Sequence, residues 1–507
     1  MPPLPEDPER PFLPWSKEET IKALLGPLGP KCFVNRYLKH AEEDSDVPLW
    51  YHVGCLLTLL GVLAPDTYIY RRGNRKTITN NFALLLGRSG DGKSSATQLV
   101  ESLLMALDDG KGELVGKEPI SSPALVKSLS RRNRQWINYT EFSSFLKRTR
   151  GNAAGAVAAL KPDMNTAWDG GRLSYSPSDH ANEVYVNNPR LTATFCIVES
   201  MLPEHSEPED YKGGLYSRTN FFYAYCERVD QPSRSNPADF GWLVSWCKAV
   251  YAITPEKFQA CSGLSVEAQR ILTAYNTAVR VVFQQADNRR LDAIQTRYAQ
   301  NVLRVALLLS FGMDKGRPDP QDDVGLPWEI DATVMTVAVN LVLRCLTGAV
   351  AAYLDGAVTR EVQEQQLVIG AVPPEGATFG GLLRATNLSK RRLTELLETL
   401  DASETIRLYI DGINPPVYKK VRPIPRVPGA RTAMGIHGAV EAYAQMAKNQ
   451  TADQKRALKI AEQAAAAPGV TVGTATRVTL TETGSYAINF DFTGIDSTSD
   501  SIEGRVG

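Results

Sequence analysis

The pattern of apolar and polar positions predicts an α/β core in the first 228 residues. A continuous apolar run from Phe82 to Leu86 is typical of a parallel strand that is covered on both faces. An amphipathic helix is predicted after it, from about Lys93 to Leu107. Further strand-like runs lie at Trp136–Tyr139, Glu183–Val186, Leu191–Val198 and Asn220–Tyr225. Apolar strands that alternate with helices indicate an α/β fold.

The rest of the pattern divides the chain into five regions. Helical periodicity covers residues 264–315 and 332–354, and a second helix is predicted to begin near 360. From there a short helix, a turn, an amphipathic helix and two short strands follow in the order of a winged helix-turn-helix. The predicted regions are an N-terminal arm with helices (1–68), a P-loop ATPase core (69–258), a helical lid (259–356), a winged helix (357–425), and a tail with a helix, a hairpin and a disordered end (426–507).

Composition excludes several classes of protein. The 56 Lys and Arg residues balance 56 Asp and Glu residues, so bulk positive charge does not hold a polyanion. A hydrophobic content of 43% and a charged content of 22% exclude a disordered or coiled-coil chain. The seven cysteines form no CxxC pair, which indicates reduced thiols in a cytoplasmic protein. The longest apolar stretch, Val53 to Ala64, is too short to span a bilayer, so no membrane partner is expected.

The strongest chemical signal follows the apolar strand at Phe82 to Leu86. It matches the phosphate-loop pattern GxxxxGK[ST] in full, and a helix is predicted directly after it. Its glycines allow backbone N–H groups to point at phosphate oxygens, and the helix N-terminus adds partial positive charge. We expect ATP as the cofactor, held by Gly87, Arg88, Ser89, Gly90, Asp91, Gly92, Lys93, Ser94 and Ser95. Lys93 is expected to reach the β- and γ-phosphates, and Ser94 to bind Mg²⁺.

Hydrolysis also requires an acid at the end of a second strand. The strand Trp136–Tyr139 ends at Thr140 and Glu141, so Glu141 is the predicted water-activating carboxylate, and Thr140 and Glu141 complete the predicted metal site with Ser94. The alternative is an exposed glutamate at a strand end. Asp163 and Asp169 are other candidates for an acid. Glu199 and Ser200 end a third strand, where they either sense the γ-phosphate or only terminate the strand.

Arg218 is the third predicted catalytic residue. It lies on a glycine-flanked loop, Gly213–Arg218, just before a predicted strand. An arginine in such a place can project into the nucleotide of a neighbouring subunit and stabilise charge on the phosphoryl group that is transferred. A surface arginine in a turn is the alternative.

The winged-helix region carries basic residues where a recognition helix would meet DNA. Lys390, Arg391 and Arg392 open its amphipathic helix, and leucines mark the buried face of that helix. These three residues are the predicted DNA-binding residues. Other basic clusters lie at 71–76, 131–134 and 147–150. The alternative for the winged helix is a regulatory or protein-contact module.

Taken in order, these motifs resemble those of P-loop ATPases that phages, plasmids and integrated elements encode beside, or fused to, primases. The resemblance covers roughly residues 30–355. It rests on Gly87–Ser94, Thr140-Glu141, Trp168-Asp169-Gly170, Asn187–Thr192, Gly213–Arg218 and Leu303–Leu309. It implies a RecA/AAA+-like core that works as a homo-oligomeric ring, usually a hexamer, on DNA during replication in the host cytoplasm, with a primase as a possible partner. Thr140 stands where that family has Asp.

These expectations combine into one functional hypothesis with one alternative. The hypothesis is an ATP-dependent, ring-forming DNA motor, a replicative helicase that translocates on single-stranded DNA in a ring channel. The alternative is a helicase loader, or a nucleotide-switched DNA-binding initiator or regulator, that hydrolyses little ATP. Thr140 favours the alternative, whereas the full phosphate loop and Arg218 favour the motor.

Overall fold

The protein is described here as a computed structural model of the 507-residue chain. It describes residues 16–66, 68–73, 75–107, 111–150, 155–176, 183–207, 210, 214–225, 235–285, 295–318, 327–373, 376–386, 388–402, 406–409, 417–420, 429–448, 474–480 and 486–491. The predicted N-terminal arm, Gly213 of the arginine loop, the Pro/Arg-rich linker before residue 429 and the predicted disordered end lie outside the described residues.

The chain forms two compact units. The core unit comprises the described residues from 16 to 350 and from 433 onward, and the small unit comprises those from 351 to 432. The sequence-predicted boundaries at 68/69 and 258/259 both lie inside the core unit, and the predicted winged helix lies inside the small unit.

The core unit consists of helices around one central sheet. Its helices are α1 Glu18–Leu25, α2 Phe33–Asp44, α3 Leu49–Leu63, α4 Lys93–Leu107, α5 Ser122–Arg131, α6 Phe142–Arg148, α7 Leu160–Trp168, α8 Met201–His205, α9 Pro237–Ala252, α10 Val266–Gln285, α11 Tyr298–Gly312 and the first part of α12 Ala332–Ala371. Its strands up to α12 are β1 Tyr70–Arg72, β2 Arg75–Thr77, β3 Phe82–Gly87, β4 Val115–Gly116, β5 Arg134–Tyr139, β6 Leu173–Tyr175, β7 Val184–Val186, β8 Arg190–Val198, β9 Thr219–Tyr223, β10 Cys261–Leu264 and β11 Trp328–Ile330.

The central sheet has five parallel strands in the order β4-β5-β8-β3-β9. All six residues of β3 are buried, which confirms the covered parallel strand that the apolar run predicts. The predicted helix from Lys93 to Leu107 is also confirmed, as α4. The pairs β1/β2, β6/β7 and β10/β11 are short two-stranded sheets outside the central one.

Helix α3 joins the N-terminal helices to this sheet. Each of its fifteen residues is buried, as expected for a helix that is apolar on every side. It packs against β3, β8 and β9 and against α4. The N-terminal helices are therefore part of the same hydrophobic core as the central sheet.

Helix α12 differs from the sequence-based expectation. The pattern predicts one helix over 332–354 and a second from near 360, with Gly356 between them, whereas the structure has one helix of 40 residues. A single glycine in a helix costs only about 1 kcal/mol, which a long helix can absorb. The segment Ala332–Ala352 is long and apolar enough to cross a membrane, yet 83% of its most apolar window is buried inside the protein, as in a core helix.

The small unit follows the element order that its sequence predicts. After α12 come β12 Ala377–Thr378, α13 Phe379–Thr386, α14 Lys390–Ala402, β13 Ile406–Tyr409 and β14 Val417–Lys420. The three strands form an antiparallel sheet in the order β12-β14-β13. The buried core consists of Val368, Val372, Leu382, Leu393, Leu396, Leu397 and Leu400.

The tail contains a helix and a hairpin. Helix α15, Gly429–Lys448, covers the first part of the helix that the sequence predicts at about 432–467, and residues 449–467 lie outside the described residues. The antiparallel pair β15 Thr474–Leu480 and β16 Tyr486–Asp491 confirms the predicted hairpin. The six cysteines in the described part of the chain are free thiols, which agrees with the expectation of reduced cysteines.

Candidate functional site

The carboxyl ends of β3, β8 and β5 lie at one edge of the central sheet. These strands are parallel neighbours, so the residues that follow them emerge on the same side. Gly87, the last residue of β3, pairs with Val198 of β8, and its carbonyl accepts a hydrogen bond of 3.1 Å from the Glu199 N–H. The phosphate-loop sequence and the predicted acids Glu141 and Glu199 therefore belong to the same edge.

The loop between β3 and α4 has a backbone that only glycine fits well. Gly90 and Gly92 have φ angles of 90° and 77°, in the left-handed region that side chains disfavour. A Cβ on Gly87 would lie 2.0 Å from the Tyr51 hydroxyl oxygen, and a Cβ on Gly92 would lie 2.5 Å from Cγ2 of Val47. The glycines of the motif are thus required by conformation at two positions and by close packing at Gly87.

Lys93 folds back onto the loop that precedes it. Its Nζ donates hydrogen bonds to the carbonyl oxygens of Gly87, at 3.1 Å, and of Arg88, at 2.5 Å. Burial lowers the pKa of Lys93, and the negative charges of Asp91 and Glu199 partly offset this effect. A partly desolvated ammonium that donates to neutral carbonyls can exchange these bonds for bonds to an anion.

Asp91 fixes the turn at the start of the loop. Its Oδ2 accepts a hydrogen bond of 2.6 Å from the Arg88 N–H, and its side chain is buried. The Arg88 guanidinium lies 4.8 Å from the ring centroid of Tyr225, which follows β9. Ser89, Ser94 and Ser95 are exposed, the last two in the first turn of α4.

Thr140 and Glu141 are exposed at the end of β5. Glu141 immediately precedes α6, and its Oε2 accepts a 3.4 Å hydrogen bond from the Ser144 hydroxyl. The side chain of Glu141 is therefore accessible at the edge where the loop lies, as the predicted water-activating role requires.

Asn138 is a polar residue of β5 for which the sequence pattern predicts no role. Its Nδ2 donates a 3.0 Å hydrogen bond to Oγ1 of Thr97, which lies one turn after Ser94 in α4. Its Oδ1 is buried and has no hydrogen-bond partner within the described part of the chain. This contact joins β5, which ends just before Thr140 and Glu141, to α4, which follows the loop. In the sequence it is indicated only by an amide inside an apolar strand.

Glu199 and Tyr51 support the loop from two other sides. The Tyr223 hydroxyl donates a 2.9 Å hydrogen bond to Oε2 of Glu199. The Tyr51 hydroxyl lies 2.8 Å from the carbonyl oxygen of Leu86 and 2.7 Å from that of Ala224, so it bridges the ends of β3 and β9. Tyr51 comes from α3, whose uniform apolar pattern gave no sign of this role.

Arg218 is buried within its own chain. Its Nη2 and Nε lie 2.7 Å and 3.3 Å from Oδ2 of Asp169, and its Nη1 donates to the carbonyl of Gly214 at 3.0 Å. Arg297 also donates to Asp169, at 3.1 Å from Oδ1. A role for Arg218 in a neighbouring subunit requires this pair to open, and that role stays a prediction.

The two other candidate acids are already bonded. Asp163 accepts a hydrogen bond from the Ser122 hydroxyl, and Asp169 belongs to the arginine pairs just described. Among the described residues, no group of three or more His, Cys, Asp or Glu side chains could hold a metal ion. A magnesium ion bound with a nucleotide needs fewer protein ligands, because phosphates and waters fill most positions. The exposed Ser94 hydroxyl fits such a site.

The predicted DNA-binding residues open α14 in the small unit. Lys390 and Arg391 are exposed, and Arg392 is half-buried. Arg391 Nε lies 3.1 Å from Oε1 of Glu395, and Arg392 Nη1 lies 3.3 Å from Oε2 of the same residue. Hydrogen bonds from these two arginines lower the pKa of Glu395.

No protein-family model matches the sequence, and no curated protein matches it closely enough to count as a relative.

Proposed function

We propose that this protein is a P-loop ATPase that acts as a ring-forming motor on DNA, with replicative helicase activity in the cytoplasm. The observation that carries the proposal is the loop Gly87–Ser94. It joins a buried central strand to the N-terminus of α4, with two glycines in the left-handed region and Lys93 beside the loop carbonyls. Backbone N–H groups and a helix N-terminus in this arrangement are suited to phosphate.

The residues around the loop can divide the work of hydrolysis. Lys93 would exchange its two carbonyl partners for phosphate oxygens, and the exposed Glu141 would orient the attacking water. Ser94, together with the end of β5 at Thr140 and Glu141, would hold Mg²⁺, which neutralises phosphate charge when it is bound. Glu199, beside Gly87, would sense the nucleotide through its bond to Tyr223.

The DNA part of the proposal rests on the small unit. Its order of strands and helices supports the winged helix that the sequence predicts, and the basic residues 390–392 begin the second of its two short helices, α14. Exposed lysine and arginine side chains at such a helix bind phosphates and steer the helix to the groove. The ring and a primase partner come from the resemblance to mobile-element ATPases.

One observation favours the alternative function, a helicase loader or nucleotide-switched regulator. Thr140 is exposed at the end of β5, where a carboxylate would strengthen a magnesium site. A hydroxyl there is a weaker ligand, so bound ATP would persist longer before hydrolysis.

ATP turnover with and without single-stranded and forked DNA separates these functions. For the motor we expect turnover that rises on addition of DNA, strand separation of the fork, and larger particles in the presence of ATP. Lys93→Ala should abolish turnover. ATP binding without DNA-stimulated turnover would establish the alternative, and absence of ATP binding would refute both.

A further inference from the structure

A cavity of about 680 Å³ lies directly beside the phosphate loop in the core unit. Its wall includes Ser95, the residue after the loop motif, and Val47, which packs against Gly92. Further along α4 the wall continues through Gln98 and Ser102, on the same helix face. A ligand whose phosphates lie on the loop can therefore extend into this cavity.

Two buried histidines line the cavity. His40 and His52 are 3% and 2% exposed, and the Nδ1 atom of each is buried without a hydrogen-bond partner among the described residues. His52 Nε2 lies 3.0 Å from the Ser45 hydroxyl, so only its second ring nitrogen is unsatisfied. An unpaired buried polar atom costs free energy, and a ligand that pairs with it regains that free energy.

The aromatic and acidic groups of the wall narrow the choice of ligand. The half-buried ring of Phe240 lies 5.7 Å from the His40 ring and offers a face for stacking. Asp44 and Asp46 are exposed at the cavity and carry negative charge, which repels phosphate groups and accepts hydrogen bonds from hydroxyls. Burial lowers the pKa of His52 to about 4, so its imidazole is neutral at neutral pH.

We infer that this cavity binds the nucleoside of the nucleotide whose phosphates occupy the loop, with a purine base against His40, His52 and Phe240 and the ribose near Asp44 and Asp46. The charge distribution gives the ligand one orientation. Lys93 and the N-terminus of α4 attract its anionic end. The cavity, which is lined by carboxylates and a neutral histidine, accepts its uncharged end. The volume lies within the range of about 300–1,000 Å³ that small-ligand sites occupy.

This inference rests on the proposed function, because it requires phosphates at the loop. It goes further in assigning base and ribose recognition to α2, α3, α9 and the segment that joins α2 to α3. The phosphate loop motif alone does not specify any of these elements.

The test compares ATP with inorganic triphosphate, which has the same anionic end and no nucleoside. Binding of each, with Mg²⁺, is measured by calorimetry on the full chain. We expect the wild type to bind ATP at least about tenfold more tightly than triphosphate. Ser102→Phe places a ring in the cavity from an exposed position and should weaken ATP binding about tenfold while leaving triphosphate binding unchanged.

Two further variants complete the design. Glu101→Phe adds the same ring at the neighbouring exposed position of α4, outside the cavity lining, and should leave both affinities unchanged. His40→Phe keeps an aromatic ring beside Phe240 and removes the nitrogens, so it should weaken ATP binding about fivefold and spare triphosphate. Lys93→Ala should weaken the binding of both ligands.

The outcomes separate the inference from the proposed function. If the wild type binds neither ligand, the proposed function fails, and the inference fails with it. If the wild type binds ATP and triphosphate equally, or if Ser102→Phe weakens the two ligands equally, the nucleoside site is refuted while the phosphate loop function stands.

Discussion

The guanidinium of Arg218 is paired with the carboxylate of Asp169, 49 residues earlier in the chain, at 2.7 Å from Nη2 to Oδ2. The Arg218 side chain is only 10% exposed and that of Asp169 is 34% exposed. Arg218, Arg297 and Arg304 all lie within 5.6 Å of the Trp168 ring centroid, so three guanidinium groups surround one indole, and the first two also pair with the Asp169 carboxylate. The loop before β9, the end of α7 and the start of α11 meet at this cluster.

Removal of Arg218 should destabilise the core unit. Arg218→Ala breaks a largely buried pair, yet Arg297 remains on Asp169 and solvent reaches the carboxylate, so we expect a loss of about 2 kcal/mol in the free energy of unfolding. Urea unfolding measures this loss. The control is Arg270→Ala, which breaks an exposed pair with Glu267 and should cost less than about 0.5 kcal/mol. Equal losses in the free energy of unfolding for the two variants would show that the pair of Arg218 and Asp169 contributes no more to stability than an exposed pair.

The protein should become less stable as the pH falls below 6.5, because of His52. Burial lowers the pKa of His52 to about 4 from 6.5, so between these values the unfolded state binds a proton that the folded state does not. Above pH 6.5 His52 is neutral in both states and contributes no pH dependence. As the pH falls from 6.5 to 4, the free energy of unfolding should decrease by about 3 kcal/mol through this residue.

The measurement is the difference between the wild type and His52→Gln in urea unfolding at several pH values. Carboxylates that titrate below pH 5 affect both proteins and cancel in this difference. A pH slope that is the same in both proteins would contradict the assignment to His52.

Gly87→Ala should disrupt the loop Gly87–Ser94. The new Cβ would lie 2.0 Å from the Tyr51 hydroxyl and 2.5 Å from the Ala224 carbonyl oxygen, so the backbone must move. We expect a loss of about 2 kcal/mol in stability and a marked loss of ATP binding. Gly26→Ala is the control, because a Cβ there meets nothing within 4 Å and φ is −51°; its stability should change by less than about 1 kcal/mol. Tyr51→Phe in the Gly87→Ala background should restore part of the stability, since it removes the closest atom.

Glu395 should limit the DNA binding that we propose for the small unit. It holds both Arg391 and Arg392, so Glu395→Gln should release two cations and increase affinity for DNA several-fold at low salt. Replacement of both arginines by glutamine should weaken binding and reduce the slope of log affinity against log salt by about 2. Binding is measured by fluorescence anisotropy at several salt concentrations. Glu398→Gln changes the same charge one turn along α14 and tests whether release of the arginines, rather than overall charge, matters.

The sequence by itself determined the local parts of this molecule. The apolar run at Phe82–Leu86 predicted β3 to within one residue, and the helical period after Lys93 predicted α4 with its bounds, because each pattern comes from residues close together in the chain. The glycines of the loop and the order of elements in the small unit were likewise predictable from residues that are close together in the chain. The break expected near Gly356 was wrong, because one glycine does not outweigh the helix on both sides of it.

Only the tertiary structure decided what surrounds the loop. Tyr51 reaches the Ala224 carbonyl across 173 residues of sequence, and Asn138 reaches Thr97 across 41. The sequence left Arg218 as a surface arginine or a residue that acts in trans, whereas folding buries it against Asp169. Periodicity records which face of an element is buried. It does not record which distant atom a polar side chain meets, since that depends on the strand order of the sheet and on the helices that cover it.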